Sequence, residues 1–363
     1  MSLKERIIRR IAAEGPISVA DYMALCLADP VDGYYTRDAP GLDPFGVKGD
    51  FITAPEISQI FGELMGLWCV DAWQRLLGSP SPVNLIELGP GRGTLLADAL
   101  RAARVAPAFL EAARIHLVEV SPALKRRQRM ALAGMDVVWH DHFDATPDGP
   151  FLLLANEFFD VLPIRQFVAT SRGMAERVIG LDETRRHLRF ALAPGPSAWA
   201  KLLPPALARA HEGSMVELSP AALTLAQSIA RRIARRGGAA LIVDYGPTVS
   251  APGETLQALK RHLRHNVLED PGAADVTAHV DFAAIASAAE AAGARSFGPA
   301  PQGEFLARLG ANQRADRLKA GLGPLGAAEI DTAVGRLLDP KEMGTLFKVL
   351  ALVPADAGAP AGF

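Results

Sequence analysis

The sequence predicts an α/β chain built on a largely parallel sheet with helices on both faces, and three observations predict it. From Val83 onward, short apolar runs alternate with helical segments, the pattern of parallel strands joined by crossover helices. The first run leads straight into Gly89-Pro90-Gly91-Arg92-Gly93 and then a helix, a strand–glycine turn–helix unit. With 363 residues, 49% of them hydrophobic, the chain can bury a large core in one elaborated domain or two smaller ones.

The elements follow in order. MSLKERIIRRIAAEG is basic and periodic, carries Glu5 and Glu14, and lacks the apolar centre of a signal peptide, so it reads as the first helix. Further helices are predicted near 19–29 and over 55–77. The long loop between them, DPVDGYYTRDAPGLDPFGVKGDFIT, reads as functional, because Tyr34, Tyr35, Phe45 and Phe51 argue against disorder. Strands are predicted at VNLIEL (83–88), RIHLVEV (114–120), MDVVWH (135–140), PFLLLANE (150–157) and AALIVDYG (239–246). The intervening LLADALRAAR, SPALKRRQRMALA and TLAQSIARRIARR are long enough to be crossover helices. ERVIGL and HLRFAL, split by Asp182-Glu183-Thr184, predict a hairpin flap inserted after the fourth strand. ARSFGPA and TLFKVLALVP supply two last strands, and ADAGAPAGF is expected to fray. The expected organisation is a helical region with a covering loop (1–80), a core (81–163 and 237–353), an inserted hairpin and helices (164–236), and a flexible tail (354–363).

Net charge is −2, from 38 basic and 40 acidic residues, so no global field draws the chain to nucleic acid or an anionic membrane. No apolar run approaches the roughly 20 residues needed to span a bilayer, and a soluble, intracellular protein is expected. Cys26 and Cys69 sit in apolar helical stretches without metal-ligand spacing and read as buried thiols in a reducing compartment. No metal site is expected.

The glycine turn carries the first functional inference. Gly89, Gly91 and Gly93, with Pro90, let a backbone pass close to a ligand, and the following helix offers unpaired amides to a pyrophosphate or to a methionine carboxylate. Glu119 ends the next strand, where a carboxylate can accept hydrogen bonds from both hydroxyls of a cofactor ribose. Glu87, among Leu85, Ile86 and Leu88, needs a partner, either the loop or a cofactor ammonium. Asp141 is a candidate for the adenine amino group, although it and the flanking His140 and His142 also read as ordinary polar residues at a loop mouth. A nicotinamide dehydrogenase shares this grammar. Here the third glycine follows the second by two positions, and the final strand pair suits a sheet with an antiparallel last strand, which favours S-adenosyl-L-methionine.

Taken in order, KGDFITAPEISQIFGELMGLW, LIELGPGRGTLLADALR, LLLANEFFDVLPIRQF, VDYG followed by GETLQALKRH, PGAADVTAHVDF and MGTLFKVLAL resemble the MidA-like family. That family comprises bacterial proteins and the mitochondrial complex I assembly arginine methyltransferase. The resemblance covers nearly the whole chain. It implies a seven-stranded class I (Rossmann-like) methyltransferase sheet with an N-terminal helical region and inserted segments, S-adenosyl-L-methionine as cofactor, and a protein arginine as acceptor. The acceptor in its eukaryotic members is a respiratory complex I subunit. A bacterial source implies the cytoplasm, a eukaryotic one the mitochondrial matrix.

An arginine acceptor needs carboxylates, because its guanidinium is protonated at physiological pH and must lose a proton as the new bond forms. Asn156, Glu157 and Asp160 leave the fourth strand at the edge where ligands bind in open α/β sheets. Glu157 is the first candidate for the guanidinium clamp and Asp160 the second; Asn156 suits substrate or the methionine end of the cofactor. Asn156 and Asp160 also read as helix caps. Thr53, Glu56 and Gln59 belong to a segment expected to close over the cofactor, with Pro55 in a first helical turn; Thr53 and Glu56 equally match a capping box. Asp244, Tyr245 and Gly246 are expected along the substrate channel, and Asp50 and Tyr34 are weaker candidates. His262, His279 and Asp281 carry no site assignment. Two other functions share these residues: a small-molecule O- or N-methyltransferase, and a non-catalytic assembly factor that keeps the cofactor site.

Overall fold

The computed structural model describes every residue except 38–45, 47–48 and 51, so Phe45 and Phe51 lie outside the described residues. The chain forms two compact units, each assembled from three separate segments. One comprises Met1–Phe51, Phe159–Thr224 and Pro247–Ala284; the other comprises Ile52–Phe158, Leu225–Gly246 and Ile285–Phe363.

The second unit holds a seven-stranded sheet: β1 (Val83–Leu88), β2 (Ala113–Val118), β3 (Val137–His140), β4 (Phe151–Asn156), β5 (Gly238–Tyr245), β6 (Ala294–Pro301) and β7 (Phe347–Pro354). Its spatial order is β6-β7-β5-β4-β1-β2-β3. β7 runs antiparallel to both its neighbours, and the pairs β5–β4, β4–β1, β1–β2 and β2–β3 are parallel. This is the seven-stranded methyltransferase sheet expected above. VNLIEL is buried along its whole length, as befits a central strand covered on both faces, whereas the edge strand β3 is half-exposed.

Two helices expected as one precede this sheet. The predicted run 55–77 divides into Ala54–Ile57 and Gln59–Arg75, because Ser58 is extended (φ −155°) and its hydroxyl caps Ile60 N at 3.3 Å. Gln59–Arg75 packs on the helix after the glycine turn, Thr94–Ala102, so closely that a Cβ on Gly66 would lie 2.3 Å from the Ala99 carbonyl oxygen. Buried Glu63 accepts from Arg101 at 2.9 Å and from Arg314 at 2.6 Å, tying both helices to the helical insert between β6 and β7. The last residues correct the expectation of a flexible tail. Pro360 is buried, Phe363 stacks on Phe305 with ring centroids 5.2 Å apart, and Arg75 donates to the Ala359 carbonyl.

The first unit contains the helices Leu3–Glu14 and Val19–Ala28, the former closed by a Ser2/Glu5 capping box. The expected hairpin is present as Gly173–Leu181 paired with Leu188–Pro196, but it is not a lone flap: Gly173–Leu181 also pairs with Ile17–Ser18 and Arg165–Thr170, and the latter with Met215–Leu218. A three-stranded sheet (Gln257–Lys260, Leu263–His265, Asp275–Thr277) completes the unit. The N-terminal helices therefore share a unit with the inserted hairpin, a grouping set by contacts far apart in sequence. Among the described residues, no helix is long and apolar enough to cross a membrane.

Candidate active site

The order of the sheet reverses between β1 and β4, so the loops leaving their carboxyl ends diverge and open a crevice, the usual ligand position in open α/β sheets. The register aligns Leu88 with Ala155, which brings Gly89 level with Asn156; on the other side of β4, Val243 aligns with Asn156. Four loops thus meet at one edge of the second unit: the glycine turn, the segment after β2, the segment after β4, and the end of β5.

All three glycines of the turn have positive φ (+59°, +54° and +87°), a region costly for any side chain-bearing residue. Gly93 N donates to the Pro90 carbonyl at 2.7 Å, closing the turn, and Gly93 starts the helix Thr94–Ala102. A Cβ at Gly89 would lie 2.7 Å from the Phe158 ring, so the turn and the segment after β4 are packed without spare room.

Two acceptors in this region lack partners among the described residues. Glu87 is only 3% exposed, and its Oε2, like Asn156 Oδ1, is buried with no hydrogen-bond partner. Burial pushes the Glu87 carboxyl up to about 8. Unpartnered buried acceptors are costly, and the donors of an ammonium group would satisfy them. The residues present therefore fit the methionine end of the cofactor.

Glu119 is buried and already oriented. Its Oε1 accepts Ser121 N at 2.8 Å and its Oε2 accepts Gln128 Nε2 at 3.0 Å; burial, outweighing these donors, raises its carboxyl above the ordinary value. Each carboxylate oxygen retains a further lone pair, so acceptance from ribose hydroxyls is compatible with this arrangement. Gln128 also donates to the Gly91 carbonyl at 2.8 Å and accepts from Trp139 Nε1 at 2.8 Å, which fastens the turn to Glu119. The sequence reading missed Gln128. Its signal was there: it stands four residues after Leu124, on the buried side of SPALKRRQRMALA.

The segment ahead of the sheet reaches the same edge. Thr53 is buried and N-caps Ala54–Ile57 by position, but its side chain makes no cap bond, which corrects the capping-box reading. Glu56 instead accepts from Arg92 Nη1 and from Thr94 Oγ1, each at 2.6 Å. Gln59 donates to Glu63 at 3.2 Å. Ala54 N donates to Glu157 Oε1 at 3.2 Å, and Asn156 Nδ2 donates to the same oxygen at 3.1 Å. Glu157 has φ +50°, unusual for a non-glycine residue, while its amide donates to the Val243 carbonyl.

Asp160 belongs to the first unit, where it is buried and its carbonyl accepts Ala278 N. Asp141 follows β3, is exposed, and pairs with Lys125 at 2.9 Å, which holds its carboxyl below the usual range. Asp244 is fully buried and accepts the Phe158 and Tyr245 amides, so it braces the segment after β4. Tyr34 and Asp50 bond to each other at 2.7 Å in the first unit, where Asp50 also accepts Arg261 N. His140 contacts His116 at 3.1 Å, and among the described residues no three His, Cys, Asp or Glu side chains converge as metal ligands do.

The family model for S-adenosyl-L-methionine-dependent methyltransferases matches residues 64–300. The mouse (Mus musculus) mitochondrial protein arginine methyltransferase NDUFAF7 is 40% identical over 96% of this chain and 83% of its own length; that of Danio rerio is 38% identical over 97% and 87%. A Burkholderia thailandensis protein solved bound to S-adenosyl-homocysteine superimposes with a TM-score of 0.82 and 28% identity, covering 99% of this chain and 94% of that one.

Proposed function

The chain belongs to the S-adenosyl-L-methionine-dependent methyltransferase family and uses that cofactor; from this premise we propose that it methylates a protein arginine, with Glu157 orienting the guanidinium. When bound, the cofactor supplies an electrophilic methyl group on a sulfonium. The glycine turn would lie against it, Glu87 and Asn156 accepting from its ammonium and Glu119 from its ribose hydroxyls. Thr53, buried at the start of Ala54–Ile57, would cover it, and Asp141 would meet its adenine on leaving the Lys125 pair.

The observation that carries the acceptor reading is the setting of Glu157. It is a non-glycine residue in the left-handed region, at the sheet edge level with the glycine turn, and its carboxylate oxygen is fixed by two donors. Strain of this kind costs roughly 1–2 kcal/mol and is kept where surrounding structure over-determines it, as at ligand clamps. A fixed carboxylate localises the guanidinium charge and supports loss of its proton as the N–C bond forms. Asp160 is the second carboxylate of the same motif. The names of the relatives support an arginine acceptor, and the resemblance described above supports a respiratory complex I subunit as the protein carrying it.

Glu157→Gln tests this directly. It keeps the shape and should retain cofactor affinity within a few fold while arginine methylation of a protein substrate, read by mass spectrometry, falls by about 100-fold or more. Unchanged turnover would reject the clamp.

A further inference from the structure

We propose that Glu56 is a selectivity residue: its carboxylate occupies the entrance of the helix after the glycine turn and turns away phosphate-bearing nucleotides that this turn would otherwise accept. The inference rests on the reading that the turn holds the cofactor.

The glycine turn alone does not choose its ligand. A positive-φ turn followed by a helix start attracts anions, and dinucleotides place a pyrophosphate there. In this chain a carboxylate is bonded to side chains of that turn and of the helix start. Glu56 Oε1 accepts from the hydroxyl of Thr94, the first residue of the helix, and Oε2 is paired with Arg92 inside the turn, both at 2.6 Å. The Glu56 side chain is 16% exposed, so solvent screens it little. Its address is fixed from the other end as well, since Ala54 N is bonded to Glu157.

The charges explain the selectivity. Glu56 sets a negative charge against that of Arg92, whereas the methionine end of the cofactor, a carboxylate beside an ammonium with no net charge, needs no surplus of positive charge at the helix start. A pyrophosphate brings two negative charges beside a carboxylate that cannot donate. The nearest alternative, that Glu56 merely braces the turn, predicts something different: losing either partner of the brace would weaken every ligand alike.

Two variants separate these readings by sign. Calorimetry on the full chain would compare S-adenosyl-homocysteine with NADH and ADP as probes. Glu56→Gln keeps a hydrogen-bonding side chain but removes the charge, and should bring the affinity ratio of S-adenosyl-homocysteine to NADH down by 10-fold or more, chiefly by admitting NADH and ADP. Arg92→Gln removes the positive charge bonded to Glu56 and should widen that ratio. Parallel losses for all probes in both variants, or a ratio that does not move in Glu56→Gln, would overturn the proposal. Failure of the wild-type chain to bind S-adenosyl-homocysteine would instead sink the cofactor placement itself, and the two failures are therefore distinct.

Discussion

Replacing Gly89 by alanine tests the close packing of the glycine turn, and Gly93 provides its control. Both positions have positive φ, +59° and +87°, so each alanine bears a backbone cost of about 1–2 kcal/mol. Their surroundings differ. A Cβ at Gly93 meets its nearest atoms at 3.5 Å, ordinary contact, whereas at Gly89 it meets Phe158 Cδ2 at 2.7 Å. The Phe158 ring has to move, but its amide is held by Asp244, so relief must come from the ring alone. Overpacking of this type costs about 1–3 kcal/mol. Gly93→Ala should therefore destabilise by about 1–2 kcal/mol and Gly89→Ala by about 2–5 kcal/mol, measured from urea unfolding midpoints at constant slope. Because the ring belongs to the segment after β4, Gly89→Ala should also weaken S-adenosyl-homocysteine binding about 10-fold, equivalent to about 1.4 kcal/mol. Equal destabilisation by the two alanines would refute the argument, since it would mean that Phe158 yields without cost.

Burial raises the Glu87 carboxyl from 4.5 to about 8, so its contribution to stability is complete below pH 4.5 and is lost as pH rises through about 8; Glu87→Gln should flatten that part of the ligand-free stability profile. At pH 7 the carboxyl is mostly protonated, and an ammonium beside it favours the charged form, so cofactor binding should release up to one proton; calorimetry in buffers of different ionisation enthalpy reads this directly, and persistence of the release in Glu87→Gln would assign it elsewhere. Gln128→Ala removes hydrogen bonds to Gly91, Glu119 and Trp139 at once and should cost about 2–4 kcal/mol in chemical denaturation, with weakened cofactor binding; a loss under 1 kcal/mol would show that the turn is held by other means.

The sheet was legible because its central strands are buried on both faces and leave uninterrupted apolar runs. VNLIEL was bounded residue for residue, while the edge strand, with polar and half-exposed positions, was drawn two residues too long at its start. The positions of the glycine turn, Glu87 and Glu119 relative to the strand ends were equally readable, since each follows from where an apolar run stops. What escaped was long-range. Thr53 and Glu56 carry the local signature of a cap, yet Glu56 finds stronger partners in a turn that lies far along the chain, and nothing local records that. The break at Ser58, the short strands around residues 257–277, and the pairing of the N-terminal helices with the inserted hairpin depend likewise on distant contacts. Asp141 stands where the motif logic put it, but at the exposed rim, where Lys125 already engages it.

The place of β7 has a consequence for biosynthesis. It follows the other six strands of this sheet in sequence, yet it lies between β5 and β6 and pairs with both. Until Phe347–Pro354 leaves the ribosome, the inner half of the sheet presents β5 as an open edge, and β6 has no neighbour at all. A chain stopped before residue 347 would expose unpaired amides and carbonyls along β5, whose run from Ala239 to Val243 is apolar, and β7 acts as the bolt that closes the sheet.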